Sequence, residues 1–288
     1  MILILGSNGQ LGSDLQRVLS EKKIKFKSFT RRDLNIEDLA ELEKKLTEEN
    51  FEYLVNCTSY HKVDEVEKNA EKAFLVNSNA LEVMSKVCLK KKSTLFHIST
   101  DYVFGGNEES KPLSEKATTA PLNVYGSSKV EGENFIITSG CSYYIFRVAS
   151  LFGISGASGK GGNFVEAIYK KALNEGSISV VDDQIMSPTS TSFIAKVISE
   201  FTSNDYESGI YNVVNDGQVS WFDFAKKICE FCSIDVKATA IKADSLNLCA
   251  KRPSYSVLDN SKIKELGVEV KNYEDELLEY LTMKGYIN

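Results

Sequence analysis

The sequence predicts an α/β protein with a doubly wound parallel sheet and a small C-terminal lobe for binding a substrate. Through the first half of the chain, short apolar runs alternate with segments that have helical periodicity. A glycine-rich turn directly follows the first apolar run. Alternation of strand and helix at this spacing is typical of right-handed βαβ units, which place their strands side by side in one parallel sheet.

Most predicted strands of the first half are short and largely apolar, as strands covered by helices on both faces must be. The predicted strands are Ile2–Leu5, Ile24–Phe29, Tyr53–Asn56, Thr94–Ser99 and Tyr143–Val148. The helices predicted between them are Leu11–Leu19, Leu39–Leu46, Ala70–Leu89 and Tyr125–Thr138.

The pattern becomes less regular after about residue 150. Ile154–Gly162 is rich in glycine and serine, which predicts a loop. The later predicted elements are helices at 163–174, 191–201, 221–232 and 274–283 and strands at 177–181 and Gly209–Val214. We therefore expect residues 1–150, with returning segments near 177–215, to form the sheet domain. Residues 151–288 should form mainly the substrate-binding lobe.

Composition narrows the class of protein before any motif is considered. The chain has 288 residues with 42% hydrophobic and 26% charged side chains, which is ordinary for a globular protein. A net charge of −6 argues against nucleic acid as a partner. No apolar stretch approaches the roughly 20 residues that span a bilayer, so we expect no membrane partner. The N-terminus lacks signal-peptide features and the six cysteines are scattered, which predicts a cytoplasmic protein with reduced thiols.

The glycine-rich turn reads GSNGQLG over Gly6–Gly12. Gly6 permits the tight turn, Gly9 allows backbone to approach a pyrophosphate, and Gly12 allows the following helix to pack closely on the strand. The N-terminus of that helix faces the phosphates. The position of the motif between a strand and a helix therefore predicts a Rossmann-type domain. Its cofactor-binding residues are Gly6, Gly9, Gln10, Leu11 and Gly12.

Charged residues at the end of the second strand bear on which cofactor is used. The segment reads Thr30-Arg31-Arg32-Asp33. At this point of a dinucleotide site an acid takes ribose hydroxyls, whereas an arginine accommodates a 2′-phosphate. We therefore expect NADP or NAD as the cofactor, with Arg31 favouring NADPH and Asp33 contacting adenine or ribose.

A tyrosine and a lysine stand four residues apart at the start of a predicted helix. Tyr125 and Lys129 share one helix face, so the phenol and the ammonium are expected to point the same way. A nearby ammonium favours the phenolate, so we expect it to lower the pKa of Tyr125 from about 10 towards neutrality. The pair therefore predicts general acid catalysis by the phenol.

A hydroxyl-rich segment follows the fourth predicted strand. Ser99 and Thr100 lie at the carboxyl end of that strand, where open α/β sheets bind their ligands. A hydroxyl at this edge can donate a hydrogen bond to a carbonyl oxygen as negative charge develops on it. Such a hydroxyl, together with Tyr125 and Lys129, predicts a site that acts on a carbonyl group.

Several motifs together resemble the dTDP-4-dehydrorhamnose reductases, which are extended short-chain dehydrogenases. The motifs are Thr100–Gly106 (TDYVFGG), Pro121–Gly126 (PLNVYG) with Lys129, Gly162-Asn163-Phe164, Asp183-Gln184, Ser187-Pro188-Thr189 and Arg252-Pro253. They follow one another in order across nearly the whole chain. The resemblance implies reduction of the C4 ketone of dTDP-4-dehydro-L-rhamnose to dTDP-L-rhamnose by NAD(P)H.

The resemblance also implies a role for individual residues. Tyr125 would donate the proton, Lys129 would assist it and hold the nicotinamide ribose, and Thr100 would bind the carbonyl. The cofactor would be lined by the segment after the third strand and supported from the long helix, through Cys57, Thr58, Ser59, Tyr60 and Asn77. Substrate contacts are expected from Thr100, Asp101, Leu151, Asn163, Gln184 and Arg252.

The chain departs from the family at two places. Cys57, Thr58 and Ser59 stand where typical members have alanines. The stretch Ala149–Gly153 lacks a tryptophan that many members carry at the sugar pocket, so Leu151 offers less flat surface to the sugar. We expect the glycine-rich loop to close over the nucleotide sugar in compensation.

Two other functions stay open on the sequence. A related reductase or epimerase could act on a GDP- or CDP-linked sugar, or a non-catalytic subunit could bind NADP in a regulatory role. The intact Thr100, Tyr125 and Lys129 favour an enzyme. No cluster has metal-ligand spacing, a small-molecule nucleotide sugar is the expected partner, and a homodimer is compatible with the sequence.

Overall fold

The computed structural model describes residues 1–105, 110–156 and 161–287. Its strands are β1 (Ile2–Leu5), β2 (Phe26–Phe29), β3 (Tyr53–Asn56), β4 (Thr94–Thr100), β5 (Ser142–Val148), β6 (Leu151–Phe152), β7 (Ser177–Val181), β8 (Ile185–Met186), β9 (Thr189–Ser190), β10 (Gly209–Asn212), β11 (Val219–Ser220) and β12 (Lys237–Ile241). Its helices are α1 (Gln10–Glu21), α2 (Leu39–Glu48), α3 (Val63–Glu67), α4 (Ala70–Phe74), α5 (Ala80–Lys91), α6 (Val124–Thr138), α7 (Phe164–Glu175), α8 (Thr191–Phe201), α9 (Trp221–Phe231), α10 (Ser261–Glu265) and α11 (Tyr273–Met283).

The main sheet has six strands in the order β10-β5-β4-β3-β1-β2, and all of its neighbouring pairs are parallel. One apolar core lies on each face of it: α1 and α8 cover one face, and α2 and α5 cover the other. The order reverses beside β1, so the carboxyl ends of β1, β3 and β4 meet at the point where open sheets bind ligands. The predicted doubly wound α/β class is confirmed.

The long helix predicted over Ala70–Leu89 is interrupted in the structure. A π-helical turn at Leu75–Asn79 separates α4 from α5. A Cβ at Gly132 of α6 would overlap the carbonyl oxygen of Asn77, so the widened turn and the glycine allow two backbones to approach. Such turns break the 3.6-residue repeat by one residue, which the apolar spacing does not register. The short helix α3 was also not predicted.

The small lobe has an apolar core of its own. Its buried residues come from β6 to β8, α7, α9 and α11. The strand β7 pairs with β12 in this lobe, whereas we expected 177–181 among the segments returning to the sheet. The reason is that Ile178 and Val180 pack into the lobe core. The segments that do return are α8 and β10, followed later by α10.

Membrane and metal features can be stated for the part of the chain that the structure describes. There, no helix is long and apolar enough to cross a bilayer. Within the same residues, no group of three or more His, Cys, Asp or Glu side chains is arranged to hold a metal ion.

Candidate active site

A cavity of about 950 Å³ opens along the carboxyl ends of the sheet strands and extends to the small lobe. The residues that we predicted for the site and that line this cavity are Gly6, Gly9, Gln10, Leu11, Arg31, Cys57, Thr58, Ser59, Tyr60, Thr100, Asp101, Tyr125, Leu151 and Asn163. The predicted site residues that lie outside its lining are Gly12, Asp33, Asn77, Lys129, Gln184 and Arg252. One continuous cavity thus joins the glycine turn to the tyrosine and to the lobe.

The glycine turn has the geometry that a pyrophosphate site requires. Gly6 has a φ of +76°, in the left-handed region that favours glycine. Gly9 precedes the first residue of α1 and has extended backbone. A Cβ at Gly12 would overlap the carbonyl oxygen of Gly6 and lie 2.7 Å from the Cα of Ser7. A side chain there would push α1 from the strand, so these residues fit a bound dinucleotide.

The two charged residues after β2 lie in different surroundings. The Arg31 guanidinium lines the cavity and pairs with Glu37 at 2.6 Å, with its side chain 70% exposed. Asp33 turns away from the cavity and accepts hydrogen bonds from the amide and hydroxyl of Thr30. The hydroxyl bond and then the amide bond hold the pKa of Asp33 below its usual value. Arg31 is therefore available to a phosphate, whereas Asp33 stabilises its own turn.

Tyr125 is the second residue of α6, whose N-cap Asn123 accepts a hydrogen bond from Gly126 N at 2.8 Å. Burial raises the pKa of the Tyr125 phenol to about 12, while side-chain hydrogen bonds with Ser59 and Thr100 oppose the rise. The expected lowering of this pKa is not seen in this structure. A raised pKa favours the protonated phenol, which is the form that donates a proton.

The pKa of Tyr125 is not lowered by Lys129, because the Lys129 side chain points into the sheet. Its Nζ donates a 2.6 Å hydrogen bond to the carbonyl of Ile98 and lies 2.9 Å from Nε2 of His97. The residue is fully buried, and burial lowers the pKa of the amine to about 7, against the opposing effect of Glu133. Tyr125 and Lys129 thus share a helix face, as predicted, but the amine is held by β4.

Thr100 and Asp101 form the turn that follows β4. The Thr100 hydroxyl accepts a hydrogen bond from Tyr102 N at 3.2 Å and donates one to Asp101 at 2.9 Å. Burial raises the pKa of the Asp101 carboxyl to about 6, although a hydrogen bond with Ser256 opposes the rise. These contacts fix the Thr100 hydroxyl beside the Tyr125 phenol, at the cavity wall.

Asn77 connects three parts of the site from behind. Its amide group accepts from Tyr60 N at 2.9 Å and from the Ser59 hydroxyl at 3.3 Å. It donates to the Tyr60 carbonyl and to the Ser128 hydroxyl. The π-helical turn therefore holds the loop after β3 against α6, with Ser59 facing Tyr125.

The predicted sugar-binding residues mostly hold the lobe together. Asn163 caps α7 through Glu166 N and donates to the Gly153 carbonyl and the Tyr280 hydroxyl. Gln184 is buried outside the cavity lining.

Arg252 pairs with Asp64 of α3 at 2.6 Å, and this pairing lowers the pKa of the Asp64 carboxyl.

Two parts of the predicted motifs lie outside the described residues: Gly106 of the first family motif and residues 157–160 of the glycine-rich loop.

Two aromatic side chains that the sequence analysis missed line the lobe end of the cavity. Phe164 and Trp221 line the same cavity as Leu151, and their ring centroids are 4.5 Å apart. Trp221 is the one tryptophan in the sequence and begins a predicted helix, which was the available signal.

The whole chain can be compared with known proteins. A family profile described as RmlD substrate binding domain matches residues 1–285. The chain belongs to this family. A relative from Bacillus subtilis, the spore coat polysaccharide biosynthesis protein SpsK, is 31% identical over 97% of this chain and 96% of its own. A dTDP-4-dehydrorhamnose reductase from Mycolicibacterium smegmatis is 30% identical over 93% of this chain and 80% of its own.

Solved structures of family members superpose closely. A dTDP-4-dehydrorhamnose reductase from Clostridium acetobutylicum has a TM-score of 0.92 and 32% identity, with 98% of each chain covered. One from Bacillus anthracis, solved in complex with NADP, has a TM-score of 0.91 and 30% identity, again with 98% of each chain covered. This family member is accordingly an NAD(P)-dependent oxidoreductase. Its assembly as a homodimer and its cytoplasmic location stay predictions.

Proposed function

We propose that the enzyme reduces the C4 ketone of dTDP-4-dehydro-L-rhamnose, giving dTDP-L-rhamnose, and that it prefers NADPH. The observation that carries this proposal is the Tyr125 side chain, which lines one cavity together with Ser59 and Thr100, and that cavity continues to the glycine turn. The names of the relatives support the substrate. A phosphate-binding turn and a proton donor in one continuous cavity are what this reaction requires.

The chain's own residues provide the acid and the orientation. NADPH, when bound, supplies the hydride that adds to C4 of the ketosugar. Tyr125 donates its phenolic proton to the carbonyl oxygen, so the ketone gains a hydride and a proton and becomes an alcohol. Thr100 would hold that oxygen by turning its one hydroxyl proton from Asp101 to the ketone as negative charge develops on it. The nicotinamide ribose would be held by Lys129 once its amine leaves β4, since in this structure the residue lies outside the cavity lining.

The nucleotide and the sugar are tested by one assay. NADPH oxidation is measured with dTDP-, UDP-, GDP- and CDP-linked 4-keto-6-deoxyhexoses, and each product is identified. We expect kcat/KM to be highest for dTDP-4-dehydro-L-rhamnose. A GDP- or CDP-linked substrate with a higher kcat/KM would replace the proposed substrate. Binding of NADPH with no oxidation of it by any ketosugar would favour a regulatory subunit.

Arg31→Ala is expected to weaken NADPH binding roughly ten- to hundredfold, because charge-assisted hydrogen bonds to a phosphate are among the stronger ones. NADH lacks the 2′-phosphate, so its Kd should change little. Fluorescence titration gives both constants. Arg32→Ala is the matched control, since Arg32 is exposed and lies outside the cavity lining. Equal weakening of NADPH and NADH by Arg31→Ala would mean that Arg31 does not recognise the 2′-phosphate.

Trp221→Ala is expected to raise the KM for the nucleotide sugar about tenfold, since a flat aromatic surface at the lobe end of the cavity is lost. The KM for NADPH should stay nearly constant. Phe222→Ala is the control, because Phe222 packs on the lobe core outside the cavity lining. If the two variants raise the sugar KM equally, the effect comes from lobe packing and not from contact with substrate.

A further inference from the structure

His97 lies buried in the middle of β4, between two groups that ordinarily donate hydrogen bonds. Its Nδ1 lies 3.3 Å from Nδ2 of Asn56, and its Nε2 lies 2.9 Å from Nζ of Lys129. A neutral imidazole has one nitrogen that donates and one that accepts. His97 therefore cannot accept hydrogen bonds from both neighbours, so either Asn56 or Lys129 must accept one from it.

The orientation of the Asn56 amide decides which neighbour that is. Asn56 Oδ1 accepts a hydrogen bond from the backbone N–H of Thr58 at 3.0 Å, and the Thr58 hydroxyl lies 2.5 Å from the same oxygen. A backbone N–H can only donate, so this oxygen cannot be exchanged for the amide nitrogen. Asn56 Nδ2 consequently donates to Nδ1 of His97.

The proton of His97 is thereby placed on Nε2, facing Lys129. An ammonium offers three donors and no acceptor, so it would oppose this N–H directly. A neutral amine accepts the Nε2–H with its lone pair and still donates to the Ile98 carbonyl, 2.6 Å away. The hydrogen-bond geometry is satisfied only when Lys129 is neutral.

Many charged groups near α6 have partners other than Lys129. Glu133, one turn along the helix, is bound by Arg147 of β5 and by Ser99 of β4. Several charged groups on the elements packed against α6 pair with each other, with a backbone amide or with a hydroxyl; they are Asp64 with Arg252, Glu67 with Val124 N, Lys72 with Glu37, Lys86 with Glu82, and Asp101 with Thr100. His97 is thus the titratable group that directly contacts the amine.

We propose that His97 is a positioning residue that holds Lys129 as a neutral amine in the cofactor-free enzyme, with its own tautomer fixed by Asn56. The relay runs from Thr58 N–H through Asn56 and His97 to the lysine nitrogen. Before Lys129 can act as an ammonium beside the cofactor, it must gain a proton and leave the Nε2–H. Only this last consequence rests on the proposed function. Burial, which lowers the pKa of both His97 and Lys129, acts in the same direction.

The tautomer can be observed without turnover. The chain has two histidines, so a sample labelled with ¹⁵N in its imidazoles gives two sets of signals, and His61→Gln removes one of them. From pH ~7.5 to ~8.5, above both the usual His pKa of ~6.5 and the Lys129 pKa of about 7, we expect His97 to be neutral with Nε2 protonated and Nδ1 bare. An Nδ1–H tautomer, or an imidazolium at neutral pH, would overturn the proposal.

Kinetics test the connection to Lys129. The pH profile of kcat/KM for NADPH reports groups of the free enzyme and should fall as Lys129 loses its proton, near pH 7. Asn56→Asp places an acceptor opposite Nδ1, so the proton moves to Nδ1 and Nε2 accepts from an ammonium. We expect the alkaline limb to move up by about one to two pH units, the worth of one charge-assisted hydrogen bond.

The control separates this relay from the bare charge of the new carboxylate. Asn56→Asp is repeated in a His97→Leu background, where no imidazole connects residue 56 to the lysine. We expect the added shift to disappear there. An equal shift with leucine at position 97 would show that the carboxylate acts through space, and His97 would then have no positioning role. The ¹⁵N result stands independently, even if the substrate assay identifies another sugar.

Discussion

Tyr125→Phe is expected to lower kcat by about 10²- to 10⁴-fold, the usual contribution of a positioned general acid. The variant keeps the ring and its edge-to-face contact with Tyr102, whose centroid is 5.8 Å away, but has no proton to donate. Steady-state NADPH oxidation measures kcat, and fluorescence titration measures the Kd for NADPH. We expect that Kd to stay nearly constant, because the phosphates and adenine bind elsewhere in the cavity.

The result separates acid catalysis from packing. A melting temperature close to that of the unaltered enzyme would show that the site is intact. A kcat within tenfold of the unaltered enzyme would mean that another group donates the proton, and Tyr125 would then only shape the cavity.

Arg147→Met is expected to lower the free energy of unfolding by about 3–5 kcal/mol, since it leaves a carboxylate buried without its partner. Arg147 binds Glu133 through two hydrogen bonds of 3.0 and 2.6 Å, and the two side chains are only 3% and 2% exposed. Denaturant-induced unfolding measures the change. The surface pair Lys86–Glu82 provides a comparison, because its side chains are 61% and 39% exposed and exposed pairs are worth roughly 0–1 kcal/mol.

A second variant shows whether the buried charge is the cause. Adding Glu133→Gln to Arg147→Met removes the uncompensated carboxylate and should recover part of the lost stability. If the double variant is as unstable as the single one, the loss comes from the packing of the Arg147 side chain over the Phe104 ring, 4.8 Å from its centroid.

The parts of the fold that depend on local pattern could be predicted from the sequence. The strand β3 was predicted with its observed bounds, and so was α8, because an uninterrupted apolar repeat identifies each of them. The π-helical turn could not be predicted, since it forms where Gly132 of a distant helix approaches the backbone of Asn77. That approach is a tertiary contact, which no local repeat encodes.

The candidate site likewise has parts that local sequence predicts and parts that depend on tertiary contacts. Gly6, Thr100 and Tyr125 belong to short motifs whose geometry is set by the turns that carry them, and they meet in one cavity. The direction of the Lys129 amine depended on His97, which lies 32 residues earlier and belongs to none of the motifs found in the sequence. A contact between residues so far apart in the chain cannot be predicted from local sequence spacing.

The lobe that completes the cavity is assembled from three separate passes of the chain: 152–186, 219–241 and 273–283. Between these passes the chain returns to the sheet to add α8, β10 and α10. Grafting the lobe from a relative with a different sugar preference would therefore require junctions on both sides of each return. Exchange of single residues on the cavity wall, with Phe164 and Trp221 first, is the shorter route to a changed specificity.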